Sequence, residues 1–186
     1  PHPRPLKGPW LAGWALDFHS RFEGSEHRRS EVGKLVYRYK YQEERTLARE
    51  LAARWAELLA AHPELPSADA IAPIPPANTA TPRAFDPVTL LAQALAEQLR
   101  VPALLDALSK TRATRPQKEM TSLAQKQANV AGAFALKQDV RGKRLMLVDD
   151  LYDSGATLNE AARALTRGGA QSIIVLTLTQ TIHADE

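Results

Sequence analysis

Two carboxylates stand side by side at Asp149 and Asp150, directly after the apolar run Leu145-Met146-Leu147-Val148. Such a run is the pattern of a strand buried on both faces of a parallel sheet. Charges at the end of a buried strand cost free energy unless they bind something. In open α/β sheets, ligands collect at the carboxyl ends of the strands. Asp153-Ser154-Gly155-Ala156-Thr157 then reads as a tight turn, and Leu158 to Arg167 as a helix. That turn offers backbone N–H groups and hydroxyls at a helix N-terminus, an arrangement that takes up anions. An acidic pair beside an anion cradle suits a ligand that carries a diol, or a metal ion, a few ångströms from a phosphate. A sugar phosphate meets that description.

The elements that would position this site follow from periodicity. Pro1 to Pro9 holds four prolines and is expected to be extended or disordered at its start, Trp10 to Phe18 is apolar enough for a strand, and Arg21 to Arg29 reads as a loop. Ser30 to Tyr41 reads as a helix capped by Ser30, with Val32, Leu35, Val36 and Tyr39 on one face. Its Arg38 and Lys40 lie among Tyr37, Tyr39 and Tyr41, a mixture that could stack on a base or contact phosphate. The plainer reading is an amphipathic helix with half-buried tyrosines. Glu43 to Ala61 is a second helix, with Leu47, Leu51, Trp55, Leu58 and Leu59 inward. Ala70 to Pro76 reads as a short buried strand entering a rigid loop, and Val88 to Leu99 as a helix. The intervening loop, Pro75 to Arg83, lies at the same end of the sheet as the acidic pair. Leu104 to Leu108 is a candidate strand.

Ser109 to Ala131 lacks an apolar pattern and carries Lys110, Arg112, Arg115, Lys118 and Lys126 against the single acid Glu119. Long polar loops inside compact domains are commonly lids. An exposed basic loop, or a short helix from Leu123 to Val130, is the other reading. Gly132 to Leu136 is a strand pairing back, Asp139 to Lys143 a turn, and Ser172 to Thr179 another inner strand. The helix after the acidic motif turns Leu158, Ala161, Ala162 and Leu165 inward and stops at Gly168-Gly169. His183 sits in a solvated tail. The expected fold class is α/β: a doubly wound, mainly parallel sheet with a helical N-terminal hood. Residues 1–66 are read as extension and hood, 67–182 as the core and 183–186 as the tail.

Composition narrows the class. A chain of 186 residues supports one compact core. Without cysteine there is no disulfide and no Cys-based zinc site within it. A formal charge of +3 suits a small polyanionic ligand and is too slight to argue for nucleic acid. No apolar run approaches bilayer length and no signal-peptide pattern opens the chain, so a cytoplasmic protein without membrane contact is expected. The chain starts at Pro1, and an upstream segment is compatible with that.

The string Val148-Asp149-Asp150-Leu151-Tyr152-Asp153-Ser154-Gly155-Ala156-Thr157 resembles the ribose-phosphate motif of type I phosphoribosyltransferases. Leu16 to Ser20, Arg29 to Leu35 with Tyr37 to Tyr41, and Leu176 to Thr181 narrow the resemblance to the ComF (competence protein F) branch. It spans about residues 12 to 182. Arg115-Pro116-Gln117-Lys118 resembles the branch's basic segment, and Asn129 falls at its Asn position. Arg83-Ala84-Phe85-Asp86-Pro87 departs from an Arg-Gly-Phe-Asn-Gln-like string, which bears on the pyrophosphate loop. The branch's Cys-rich zinc element has no counterpart here.

The resemblance implies binding of phosphoribosyl pyrophosphate (PRPP) with Mg²⁺ and transfer of the phosphoribosyl group to a nitrogenous acceptor. It implies that Asp149 and Asp150 hold the ribose, directly or through Mg²⁺, and that Asp153, Ser154, Gly155, Ala156 and Thr157 hold the 5-phosphate. Arg115, Lys118 and Arg83 are expected on pyrophosphate, and Asp153 as the candidate for proton transfer with the acceptor. A homodimer is compatible with the sequence. The alternative is a non-catalytic PRPP-binding regulator, or a DNA-uptake protein whose basic tyrosine helix and lid cations contact single-stranded DNA or a competence protein.

Overall fold

The computed structural model describes residues 3–23, 26–76, 85–115 and 119–182. In chain order the elements are β1 (Arg4–Pro5), β2 (Ala12–Phe18), β3 (Ser20–Glu23), β4 (Glu26–Arg29), α1 (Glu31–Tyr41), α2 (Leu47–Ala60), β5 (Ala70–Pro73), α3 (Pro87–Leu99), β6 (Leu108–Lys110), α4 (Leu123–Val130), β7 (Phe134–Leu136), β8 (Arg144–Tyr152), α5 (Ala156–Arg167) and β9 (Ser172–Gln180). A five-stranded sheet runs in the order β1-β2-β9-β8-β5. Its β2–β9, β9–β8 and β8–β5 pairs are parallel, and β1 closes one edge antiparallel. The doubly wound, mainly parallel α/β fold expected from the sequence is the observed one.

Side-chain alternation along β8 explains its unbroken apolar run. Met146 and Val148 join the core under α1, α2 and α3, while Leu145 and Leu147 join the core under α5. A strand covered on both faces needs apolar residues at every position. On the first face, Trp55 of α2 is fully buried and its indole N–H donates to Thr177 O at 2.9 Å. On the second, Leu158, Ala161, Ala162 and Leu165 of α5 pack on Leu145, Leu147, Ile173 and Val175.

The helix starts are locally encoded. Ser30 caps α1: its Oγ accepts from Gly33 N at 2.9 Å and donates to Phe18 O at 2.5 Å. Asp86 caps α3 through Val88 N at 3.2 Å, with Pro87 at the first helical position. Asp86-Pro87, which departs from the family-like string, therefore serves as a helix start.

Several expectations are corrected. Arg21 to Arg29 is not a loop, because β3 and β4 form an antiparallel hairpin, with Ser20 opposite Arg29. Helix α2 begins at Leu47, not Glu43: Gln42 N–H closes α1 on Arg38 O, and Glu43 turns the chain at φ 53°. Leu104 to Leu108 is not a strand. Ala103 makes one parallel bridge to Ile71, and the chain then leaves to form β6, antiparallel to β7. The pair β6–β7 thus hangs the arm between them off the sheet, and that arm contains α4. The motif strand does not stop at the acidic pair. Its ladder with β9 runs on through Leu151↔Thr179 and Tyr152↔Gln180. Residues 1–66, read as extension and hood, contribute β1 and β2 to the central sheet as well as α1 and α2. Tyr39 is fully buried rather than half-buried. Residues 77–84, 116–118 and 183–186, including Arg83, Lys118 and His183, lie outside the described residues.

Candidate functional site

Strand β8 carries Asp149 and Asp150 to the carboxyl end of the sheet, both half-buried. Asp149 Oδ1 accepts from Asp150 N at 2.8 Å. Burial, and then the neighbouring Asp150 carboxylate, push Asp149 well above the usual carboxylate range, with Lys40 opposing. Asp150 Oδ2 lies 2.5 Å from Lys40 Nζ, which the last turn of α1 delivers across the sheet end. Lys110 of β6 lies within electrostatic reach of Asp149. Burial lowers its pKa, while the Asp149 charge opposes that shift, and its Nζ donates to Thr114 Oγ1 at 2.7 Å.

The turn Asp153–Gly155 leads into α5. Gly155 has φ 82°, and a Cβ there would stand 2.6 Å from the Tyr152 hydroxyl oxygen, so glycine is required twice over. Ser154 Oγ accepts from Ala156 N at 3.3 Å, which tightens the turn over the helix start. Thr157 sits half-buried in the first turn of α5. Backbone N–H groups at the start of α5 attract anions there. Asp153 is held on both oxygens: Thr181 Oγ1 donates to Oδ1 at 2.9 Å, and Lys126 of α4 pairs with Oδ2.

The structure therefore gathers Asp149, Asp150, Asp153, Ser154, Gly155, Ala156 and Thr157 at one strand end. It does not bring Arg115 to them through any described contact. Arg115 Nε donates to Glu119 at 3.3 Å, and its backbone is stapled by Asn129, whose Oδ1 accepts from Arg115 N at 3.0 Å and whose Nδ2 donates to Arg115 O at 2.7 Å. Arg83 and Lys118 lie outside the described residues. Sequence reasoning marked Lys40 and Lys126 as cations of a helix and a lid but not as the partners of Asp150 and Asp153. No spacing signals those pairs, because each joins two elements that only the fold brings together. Thr181 was missed for the same reason.

Residues 89–185 match the family model of the phosphoribosyl transferase domain, more than half of the chain. The chain belongs to the phosphoribosyl transferase family. Within it, the ComF-like branch is supported by relatives. The competence protein F of Haemophilus influenzae is 31% identical over 149 residues, covering 76% of this chain and 64% of that protein. The DNA utilization protein YhgH of Escherichia coli K12 is 34% identical over 100 residues, covering 54% of this chain and 44% of that protein. The matched region thus spans less than half the length of the latter relative. Among solved structures, one neighbour is the Bacillus subtilis glutamine PRPP amidotransferase complexed with ADP and GMP. It has a TM-score of 0.47 at 23% identity and covers 72% of this chain and 26% of that one.

Proposed function

We propose that this phosphoribosyl transferase domain binds PRPP with Mg²⁺ and transfers the phosphoribosyl group to a nitrogenous acceptor, releasing pyrophosphate. The observation that supports this reading best is the join of an acidic strand end to an anion-cradling turn within one stretch, Asp149 to Thr157. The ribose hydroxyls are taken by Asp149 and Asp150, and the 5-phosphate by the N–H groups and hydroxyls of Ser154 to Thr157. Reaction breaks the bond from the anomeric carbon to pyrophosphate, which leaves with the electron pair. The acceptor nitrogen forms the new bond, and its proton passes to a base, for which Asp153 is the candidate.

The donor set fits Mg²⁺, an ion that favours oxygen ligands and is commonly held by one or two carboxylates plus substrate oxygens. Among the described residues no group of three or more His, Cys, Asp or Glu converges on one point, so a shared site with the substrate suits the pair. When bound, the ion would neutralise charge on the departing pyrophosphate. Lys40, paired with Asp150 Oδ2, competes with ribose or metal for that carboxylate. Arg83, Arg115 and Lys118 remain candidates for pyrophosphate, whose growing charge nearby cations would stabilise.

Calorimetric titration of PRPP with Mg²⁺ tests the site. Binding by the wild type that is lost in Asp149→Asn/Asp150→Asn supports it, and no binding by either sinks it. A screen of bases and amines for pyrophosphate release then separates enzyme from sensor. A second reading, a DNA-associated binding protein, draws on the relatives' names and on one observation. Tyr41 is 59% exposed beside Tyr37 at 5.4 Å, and Arg29 lies 4.1 Å from the Tyr37 ring centroid. Aromatic rings with cations suit single-stranded nucleic acid. Salt-dependent affinity for single-stranded DNA that falls on Tyr41→Ala would favour it.

A further inference from the structure

Lys126 occupies a place that the ribose-phosphate motif does not call for. It comes from α4, in the arm between β6 and β7, yet its ammonium group pairs with Asp153, the residue that opens the anion-cradling turn. The side chain is only 14% exposed. The arm is held there, because α4 packs on α5 and Gly132 N donates to Glu160 Oε1 at 3.1 Å. A phosphate entering the start of α5 would bring a second negative charge beside Asp153. Like charges repel most where water is displaced. A cation that can offset both is already on Asp153, and a lysine stem reorients over several ångströms by rotamer changes without moving its helix.

We propose that Lys126 is a phosphate ligand of the site: it passes from Asp153 to the 5-phosphate when the sugar phosphate docks, leaving Asp153 held by Thr181. This rests on the phosphoribosyl reading above and adds to it a residue from the arm at the 5-phosphate end of the substrate. The turn then contributes N–H groups and the arm contributes the charge. A lysine that merely shielded Asp153 would also weaken the ligand when removed, because the bared carboxylate repels phosphate; it differs in predicting no further loss once Asp153 is Asn, so a double variant that keeps the gain of Asp153→Asn overturns the proposal.

The test is calorimetric binding of ribose 5-phosphate and, separately, of PRPP with Mg²⁺, to wild type, Lys126→Gln, Lys126→Arg, Asp153→Asn and the double variant Lys126→Gln/Asp153→Asn. Lys126→Gln is expected to weaken both ligands alike by about tenfold, the usual worth of a charge-assisted contact, and Lys126→Arg to recover most of it. Asp153→Asn removes the same ion pair yet is expected to bind ribose 5-phosphate more tightly, and that gain should vanish in the double variant. Because the two single variants move in opposite directions, a general loss of fold cannot imitate the pattern. Unchanged or tighter binding by Lys126→Gln overturns the proposal, as does a loss confined to PRPP, which would put Lys126 on pyrophosphate. A wild type that binds neither ligand overturns the phosphoribosyl reading itself.

Discussion

Asp149 shows what a buried carboxylate costs. Its folded-state pKa is raised by burial and by Asp150. A raised carboxylic acid penalises folding once the pH exceeds the unfolded value and is neutral to stability below it. Asp149→Asn is therefore expected to raise the melting temperature at pH 7, with the gain shrinking toward pH 3 to 4, about where an unfolded aspartate titrates. Thermal scans across that range check it. The same variant is expected to lose PRPP affinity by at least about tenfold, since a charge-assisted contact is removed. Gly155 carries a different constraint. Alanine there would need a left-handed backbone, at about 1–2 kcal/mol, and would push against the Tyr152 hydroxyl. Gly155→Ala should lower the urea midpoint and weaken ribose 5-phosphate binding together, and a drop in stability with binding intact would contradict the cradle.

At the scale of elements, α1 is the part that connects fold and site. Its start is pinned by Ser30, which serves Gly33 N and Phe18 O at once, and its last turn delivers Lys40 to Asp150. Gly33 packs so closely that a Cβ would lie 2.1 Å from His19 O, so the helix can approach the chain after β2 only with glycine there. Ser30→Ala is expected to cost about 1 kcal/mol, the usual worth of an N-cap, read as a shifted urea midpoint. The cap was readable from sequence because Ser precedes a 3.6-residue apolar period. The hairpin β3–β4 was not, because its charged sequence carries no apolar alternation and its two short strands pair, among the described residues, only with each other in the backbone ladder. The false strand at Leu104 to Leu108 has a related cause: a short apolar segment can be buried beside a strand edge, as Leu104 N is on Ile71 O at 2.8 Å, without forming a ladder.

At the scale of the whole molecule, the two ends of the sheet are electrostatically different. The carboxyl end collects unlike charges, Lys40 on Asp150 and Lys126 on Asp153. The other end is fastened by Arg144 and Asp69, whose carboxylate accepts from Arg144 N at 2.7 Å, from Nε at 3.1 Å and from Nη2 at 3.0 Å. The Arg144 guanidinium and backbone N–H hold Asp69 at about 2 against an ordinary 3.8. A depressed carboxylate stabilises above its unfolded value, and that contribution disappears as pH falls through the folded one. Asp69→Asn should therefore lower the melting temperature at pH 7, and the gap from wild type should close between about pH 4 and pH 2, as the two proteins are scanned side by side. Burial between the layers dominates over such surface pairs. Trp55→Ala, which empties a fully buried site and leaves Thr177 O without its indole donor, should cost about 3–5 kcal/mol.

Some of this was settled by the order of residues alone. The apolar run of β8, the acidic pair, the glycine turn, the cap of α1 and the inward face of α5 are local patterns. Each follows from a period or a backbone requirement acting over a few residues. That is why the doubly wound fold and the Asp149–Thr157 stretch could be read directly. The counter-ions could not. Lys40 meets Asp150 because α1 crosses the end of the sheet, and Lys126 meets Asp153 because the β6–β7 arm folds back on α5. Those pairs are 110 and 27 residues apart in the chain, and a charge on a solvated helix face looks the same in sequence whether its partner is water or a carboxylate across the fold. Only packing of the layers decides which lysine is desolvated, and desolvation is what turns a surface cation into part of a site.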